Sequence, residues 1–197
     1  MRKAALLAAL ALVVAGCSDG TVEGPTGIVR DPAPEVSAVV LEDASNGGQP
    51  FAMRADEGEL LIAYFGFTAC PDICPTTLAD FRSAVRRLEE DRADAVDLAM
   101  ITVDPMRDTG ERLTVYVQSF HEGAHALRTE DAELLRAAAD AFGADYEVVI
   151  DGDDIEVGHT AFLYAIDAAG KIRLQWPFGA TSEDMAHDLE YLLEGME

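Results

Sequence analysis

The sequence predicts an α/β domain in which helices flank a mixed β-sheet. Two buried apolar runs, at 60–67 and 96–103, are each followed by a segment with helical apolar spacing, which is typical of parallel strands joined by helices. The stretch at 160–175 instead indicates strand, turn and strand, so the last strands are expected to be antiparallel. At 197 residues, of which 49% are hydrophobic, the chain is long enough for one domain and a tail.

The predicted elements begin with a β-hairpin, because strand-like stretches at 36–41 and 51–54 flank a Ser-Asn-Gly-Gly turn sequence. After the strand at 60–67, Pro75 suits the first turn of a helix, and apolar residues follow at helical spacing. The further elements are, in chain order, helix 75–91, strand 96–103, helix 111–120, a short strand at 126–127, helix 131–142, an extended stretch at 146–150, strands 160–167 and 171–175, and helix 182–193. This order matches a thioredoxin-like layout with an N-terminal hairpin.

The first residues have the pattern of an exported, lipid-anchored protein. Arg2 and Lys3 precede an apolar run at 4–15 that is too short for an ordinary membrane span. We therefore expect residues 1–16 to be a lipoprotein signal peptide and Cys17, which follows small residues, to be lipidated. A plain secretory signal is the alternative, but it would leave Cys17 as an odd thiol.

Residues 17–34 are rich in Gly, Pro and acidic residues and show no periodicity, which predicts a flexible tether. The domain proper is expected at 35–197. These observations predict an extracytoplasmic protein that a lipid holds at a bacterial membrane.

The chain is strongly acidic, with 37 Asp and Glu residues, 14 Lys and Arg residues and a formal net charge of −23. Such a charge repels nucleic acid and does not suit an anionic bilayer, so no nucleic-acid partner is expected. An acidic, well-hydrated surface, as in proteins adapted to high salt, explains it more simply than attraction of cationic partners.

Two cysteines lie where the strand at 60–67 ends and the next helix begins. Cys70 and Cys74 enclose three residues, and Pro75 follows directly. Unpaired N–H groups and the positive end of the helix dipole favour a thiolate at such a position. A structural disulfide is the competing interpretation, but a bridge across so short a loop adds little stability. The pair therefore indicates a chemical site.

His159 and Asp104 are expected near these cysteines. If the strands at 60–67 and 96–103 are parallel neighbours, Asp104 follows the second strand at the same edge of the sheet. If the strand at 160–167 is antiparallel to them, His159 at its beginning lies at that edge too. Two thiolates and an imidazole suit copper, whereas a closed zinc site would require a fourth ligand.

Other polar residues have simpler interpretations. His121 and His125 are spaced as a metal pair but are expected to be solvated surface residues, and so is His187. Asp72 and Asp104 are candidates for supporting the ligands or for meeting a cationic partner. The alternative for both aspartates is an ordinary turn residue.

Three motifs together are similar to one known family. They are FGFTxCPDICPxTL at 65–78, TVDPxRDT at 102–109 and GHTxxxYxxDxxG at 158–170. With them the sequence, from about residue 36 to residue 193, resembles the Sco/SenC family of copper-binding, thioredoxin-like assembly proteins. Gly158 stands where Asp is frequent in that family, which bears on the orientation of His159, but no ligand position is lost.

The resemblance implies that Cys70, Cys74 and His159 bind copper, as Cu(I) or Cu(II). It also implies delivery of copper to the binuclear copper site on a cytochrome c oxidase subunit, with another copper protein as the alternative acceptor. The same residues allow a second function, a thiol–disulfide oxidoreductase that reduces the acceptor's cysteines before metallation. In that case Cys70 would attack and Cys74 would resolve the mixed disulfide. A third hypothesis, a non-catalytic lipoprotein with a structural disulfide, predicts no copper binding under reducing conditions.

Overall fold

A seven-stranded mixed sheet forms the centre of the fold. The structure, a computed structural model, describes residues 24–152 and 154–196. The strands are β1 (Val40–Asp43), β2 (Gln49–Ala52), β3 (Leu60–Gly66), β4 (Val96–Thr102), β5 (His125–Arg128), β6 (Tyr146–Asp151), β7 (Asp154–His159), β8 (Phe162–Ile166) and β9 (Ile172–Pro177). The helices are α1 (Ile73–Val85), α2 (Glu90–Asp94), α3 (Gly110–Gln118), α4 (Ala132–Phe142) and α5 (Ser182–Glu194). The sheet order is β2-β1-β5-β4-β3-β8-β9, and β6 and β7 form a separate hairpin.

This architecture confirms the predicted thioredoxin-like α/β class with its N-terminal hairpin. β3 pairs with β4 in parallel and with β8 in antiparallel orientation. Every residue of β3 is buried, as its continuous apolar run predicts for a strand that is covered on both faces. The ends of β3 and β4 and the beginning of β8 therefore meet at one edge of the sheet.

The helix after the cysteines differs at both ends from the predicted range of 75–91. α1 starts two residues earlier, with Asp72 in the N-cap position, so Cys74 lies within its first turn. Pro75 fits there because the first N–H groups of a helix have no partner within the helix. Residues 86–88 then close α1 with tight turns, and α2 is a separate short helix.

β7 is a strand that the sequence pattern does not predict. His159 therefore ends this hairpin strand instead of beginning the strand predicted at 160–167. β6 and β7 pair from Tyr146 opposite His159 to Asp151 opposite Asp154. Acidic residues and a glycine, which are unfavourable in strands, hide the strand pattern of β7. The correction leaves His159 at the expected edge, because the chain passes directly from β7 into β8.

Residues 24–34 pack against the domain, although the sequence pattern assigns them to the tether. Ile28 forms a backbone bridge with Gln175 of β9. The backbone N–H of Thr26 donates to the carboxylate of Asp188 in α5 at 2.7 Å. The domain therefore includes this segment, and the boundary predicted at residue 35 lies too late in the chain.

The predicted signal peptide at 1–16 and the predicted lipidation site Cys17 lie outside the described residues. The same holds for the first part of the predicted tether, up to residue 23. Within the described ranges, no helix combines the length and the apolar character needed to cross a membrane.

Candidate metal centre

The three residues predicted to bind metal come from three segments that meet at one edge of the sheet. Cys70 lies in the loop after β3, Cys74 lies in the first turn of α1, and His159 ends β7. One ligand atom of each residue lies within 4.8 Å of the other two. Cys74 Sγ and His159 Nε2 are 3.4 Å apart, although these residues are separated by 85 positions in the chain. Folding thus assembles a set of two sulfurs and one nitrogen.

The two cysteines are free thiols with unequal exposure. Cys70 is half-buried and Cys74 is fully buried. The backbone N–H of Cys74 donates to Cys70 Sγ at 3.3 Å, as an N–H group near a helix N-terminus can. Burial raises the pKa of Cys74 to about 12, and a hydrogen bond from the Phe67 backbone offsets this only in part. At Cys74 burial therefore outweighs the expected effect of the helix N-terminus, and a metal has to displace the proton.

His159 is held in the orientation that a ligand needs. Its Nδ1 lies 3.2 Å from the carbonyl oxygen of Thr160, and since a carbonyl only accepts, Nδ1 carries the proton. Nε2 is then the free nitrogen that faces Cys74. Burial lowers the pKa of His159 against the opposing effect of the Thr160 carbonyl, so the ring is neutral near pH 7. The rings of Tyr64 and Phe67 make T-shaped contacts with it, at centroid distances of 5.9 and 5.8 Å.

A buried carboxylate that the sequence does not single out, Asp108, fixes the start of the cysteine loop. It is fully buried and accepts a hydrogen bond from the backbone N–H of Thr68 at 3.0 Å and another from the Thr68 hydroxyl. It also accepts from the hydroxyl of Thr102, at the end of β4, at 2.7 Å. The loop is thereby tied to the neighbouring strand. The one sequence signal for Asp108 is its place in the TVDPxRDT motif.

Asp104 and Asp72 do not take the supporting role through hydrogen bonds. Asp104 is buried, and its carboxylate pairs with the side chain of Arg107. Asp72 is exposed at the N-cap of α1, and its carboxylate makes a long, 3.5 Å hydrogen bond with the Thr76 hydroxyl. Within the described part of the chain, neither carboxylate bonds to a predicted ligand.

The other histidines lie apart from this centre. His125 is less exposed than a solvated surface residue, because its Nδ1 bonds to the buried carboxylate of Asp43 at 2.7 Å. Its ring also packs on Phe51, with centroids 4.2 Å apart. His121 is half-buried too, and burial lowers its pKa. Both differ from the solvated residues that were expected, whereas His187 is exposed as predicted.

The donor set determines what this centre can do chemically. Two thiolates provide the soft ligands that Cu(I) prefers, and an imidazole adds a ligand suited to Cu(II). Three protein ligands leave a further position for a ligand from a partner molecule. Cys70 and His159 are half-buried, and Cys74 is the one fully buried member of this three-residue group. The same two thiols also have the arrangement of an attacking and a resolving cysteine.

Comparison with known proteins places the chain in a family. Residues 42–194 match the sequence profile of SCO1/SenC proteins. The chain belongs to the SCO1/SenC family. A copper-binding protein of Stutzerimonas stutzeri is 34% identical over 134 residues, which cover 68% of this chain and 65% of that protein. The chain thus spans about two thirds of the length of this curated relative.

Solved structures of Sco proteins share the fold of this SCO1/SenC chain. The apo Sco1 protein of Thermus thermophilus superimposes with a TM-score of 0.73 at 27% identity, covering 88% of this chain and 99% of that one. The copper-bound ScoI of Bradyrhizobium japonicum gives a TM-score of 0.66 at 28% identity, covering 78% and 96% of the two chains.

Proposed function

We propose that this SCO1/SenC protein is a membrane-tethered copper metallochaperone that delivers copper to the binuclear copper site of cytochrome c oxidase. The observation that carries the proposal is the meeting of Cys70, Cys74 and His159, whose ligand atoms lie within 4.8 Å of one another. The copper-binding relative and the copper-bound ScoI structure support copper as the cargo.

The unequal exposure of the ligands suits transfer. Cys74 is fixed in the first turn of α1, and the Thr160 carbonyl orients His159. Of the two thiols, Cys70 is the one that an incoming cysteine or histidine of the acceptor reaches first. We expect exchange to begin at Cys70, while the buried Cys74 and the oriented His159 hold the ion until the acceptor has replaced them.

The proposed location outside the cytoplasm rests on the sequence of residues 1–17. If Cys17 is lipidated, the seven residue steps from it to residue 24 span at most about 25 Å, which keeps the domain close to the membrane. Labelling with a tagged fatty acid tests this. The wild-type protein should incorporate the label, whereas Cys17→Ala should not incorporate it and should be released from the membrane. A Cys17→Ala protein that stays in the membrane fraction would contradict the anchor.

Copper titration of the reduced protein tests the ligand set. We expect about one copper per chain and a thiolate-to-Cu(II) charge-transfer band, which Cys70→Ser removes. His159→Ala should weaken Cu(II) far more than Cu(I), because two thiolates suffice for Cu(I). His187→Ala, at an exposed histidine, is the control. Unchanged Cu(II) affinity in His159→Ala would exclude the assigned ligand set.

Delivery is tested with the copper-free domain of the oxidase subunit that carries the binuclear site. Mixing it with the copper-loaded protein should produce the absorption of the acceptor's own site and remove the donor band. The control is that the acceptor takes up free copper. If it does so but the copper stays on this protein at equilibrium, delivery is refuted.

A second candidate function, reduction of the acceptor's disulfide, is favoured by one observation. The more exposed thiol, Cys70, accepts a hydrogen bond from the Cys74 N–H, and the buried thiol lies behind it. The Cys70 thiolate would attack the acceptor disulfide and release one acceptor thiolate. Cys74 would then attack Cys70, which frees the second acceptor thiol and leaves a Cys70–Cys74 disulfide. Trapping the mixed disulfide with Cys74→Ser distinguishes this activity from metal transfer.

A further inference from the structure

The hydroxyl of Tyr64 is a buried polar group without a hydrogen-bond partner among the described residues. Tyr64 lies in β3 and is fully buried. A buried hydroxyl in this position is unfavourable, because it has lost water and gained no partner in return. Such a group therefore points to a partner that the side chain is placed to meet.

The Tyr64 ring lies beside Cys74, which makes that cysteine a candidate partner for the hydroxyl. A Cβ atom placed on Gly66 would lie 2.7 Å from Tyr64 Cε1 and 3.1 Å from Cys74 Sγ, so the ring and the sulfur share the same space beside the glycine. The polar side chains beside the hydroxyl are those of Cys74 and Thr77, although neither is placed for a hydrogen bond. Thr77 donates its own hydroxyl hydrogen to the Ile73 carbonyl at 2.8 Å, and its oxygen stays a neutral acceptor, whereas the Cys74 sulfur becomes a charged acceptor when a metal binds.

We propose that Tyr64 is a positioning residue of the metal centre, whose hydroxyl donates a hydrogen bond to Cys74 Sγ when that sulfur is a metal-bound thiolate. The proposal rests on the proposed copper-binding function. Metal binding replaces the proton of a thiol, so the sulfur becomes a charged acceptor. Hydrogen bonds to charged acceptors are stronger than those to neutral ones, which favours a small movement of the hydroxyl towards the sulfur.

The hydrogen bond would complete the support of the ligands. Cys70 Sγ already accepts from the Cys74 N–H, and His159 Nδ1 is bound by the Thr160 carbonyl. The edge contact between the Tyr64 and His159 rings, at 5.9 Å, places the same tyrosine against the third ligand. Tyr64 thus adjoins two of the three candidate ligands, Cys74 and His159.

The chain contains a matched control in Tyr164. It lies in the neighbouring strand β8, opposite Ala63, and it is also buried, with a hydroxyl that has no hydrogen-bond partner in the described ranges. Its ring contacts Phe65, Phe142 and Phe162 rather than a predicted ligand. Tyr64→Phe and Tyr164→Phe remove the same atom from two similar environments, and only one of them adjoins a thiol.

The test compares both variants with the wild-type protein by urea unfolding without metal, by Cu(I) competition with a chelator and by the thiolate-to-Cu(II) charge-transfer band. Tyr64→Phe should unfold at the same or a higher urea concentration, because an unsatisfied hydroxyl is lost. It should nevertheless bind Cu(I) about tenfold more weakly, as expected for loss of one hydrogen bond to a charged group. Its charge-transfer band should move to longer wavelength, because a thiolate without that bond is easier to oxidise. Tyr164→Phe should change neither metal property.

An unchanged affinity and band in Tyr64→Phe, or an equal change in Tyr164→Phe, would overturn the proposal. If the wild-type protein binds no copper, the proposed function fails instead. Titration with Cd(II), followed by cadmium–thiolate absorption, then decides the role of Tyr64. Weaker Cd(II) binding in Tyr64→Phe alone supports it, and equal binding in all three proteins refutes it.

Discussion

Two buried aspartates hold two irregular segments of this protein, and they do so with different partners. Asp108 holds the cysteine loop through Thr68 and the end of β4 through Thr102. Asp188, in α5, holds the N-terminal segment through Thr26 and also accepts from the indole N–H of Trp176 at 2.7 Å. Both carboxylates are fully buried.

The difference lies in the kind of donor at each oxygen. Both oxygens of Asp188 face backbone N–H groups, from Thr26 and Gly27, which cannot reverse their role. Only one oxygen of Asp108 faces an N–H group, and the other accepts from the Thr68 hydroxyl, which can turn and accept instead. Replacement of the carboxylate by an amide is therefore less well tolerated at Asp188, which holds the N-terminal segment. Asp108, which holds the cysteine loop, is the aspartate whose replacement bears on the metal centre.

The largest effect on stability is expected for Asp188→Asn. In either orientation, the amide of the new asparagine points its NH₂ group at the backbone N–H of Thr26 or of Gly27. Buried N–H groups therefore lose their acceptor, and we expect the free energy of unfolding to fall by about 3 kcal/mol. Urea unfolding measures this, with Glu183→Gln, at an exposed position of the same helix, as the charge-matched control. Copper stoichiometry should not change. If Asp188→Asn lost less than about 1 kcal/mol of unfolding free energy, the two aspartates would tolerate an amide equally well, and the proposed difference between them would be wrong.

Replacement of Asp108 should lower stability by a smaller amount and should also weaken copper binding. Asp108→Ala is expected to cost about 2 kcal/mol, because the Thr68 N–H and the Thr102 hydroxyl lose their acceptor. The loosened loop should also lower Cu(I) affinity about tenfold. Asp108→Asn should retain most of both properties, since the Thr68 hydroxyl can reverse. Copper affinity is measured by chelator competition. If Asp108→Ala bound copper as tightly as the wild-type protein, the hydrogen bonds of Asp108 to the cysteine loop would have no effect on the metal centre.

The pH dependence of stability should distinguish Asp188 from its amide variant. Burial raises the pKa of Asp188, but hydrogen bonds from Thr26, Trp176, His187 and Gly27 outweigh it, so the pKa is lowered below 3.8. The unfolded chain then binds more protons than the folded one, so stability rises with pH. The contribution is present above the unfolded pKa and is lost as pH falls through the folded value.

Unfolding free energies measured in urea from pH 6 to pH 3 should show this change. The gap between the wild-type protein and Asp188→Asn should narrow as the pH falls below about 4. A gap that stays constant over this range would mean that the Asp188 carboxylate is not stabilised in the folded protein.

The smallest effect is expected for Asp104→Asn. Asp104 pairs with Arg107, which is 30% exposed, so the loss should be about 0.5 kcal/mol. Because its hydrogen bonds do not reach the ligands, copper affinity should stay within about twofold of the wild-type value. A tenfold loss would return Asp104 to the supporting role that the sequence suggested.

Much of the fold was predictable because its signals are local. The apolar run of β3, the helical spacing after Pro75 and the turn between β8 and β9 each follow from neighbouring residues. β7 was missed because Glu156 and Gly158 disfavour a strand, and its pairing with β6 overrides that preference. The composition of residues 24–34 predicts a tether, because it does not reveal that Asp188 binds this segment.

The sequence by itself determined the place and spacing of Cys70 and Cys74, since both lie within one strand-to-helix connection. It also indicated His159 through the expected direction of the strands. Only the tertiary structure decided that His159 Nε2 faces Cys74, that Asp108 rather than Asp104 holds the loop, and that the Tyr64 hydroxyl lies beside the sulfur. Those contacts join residues that are distant in the chain, and they depend on strand register and side-chain packing, which no local pattern encodes.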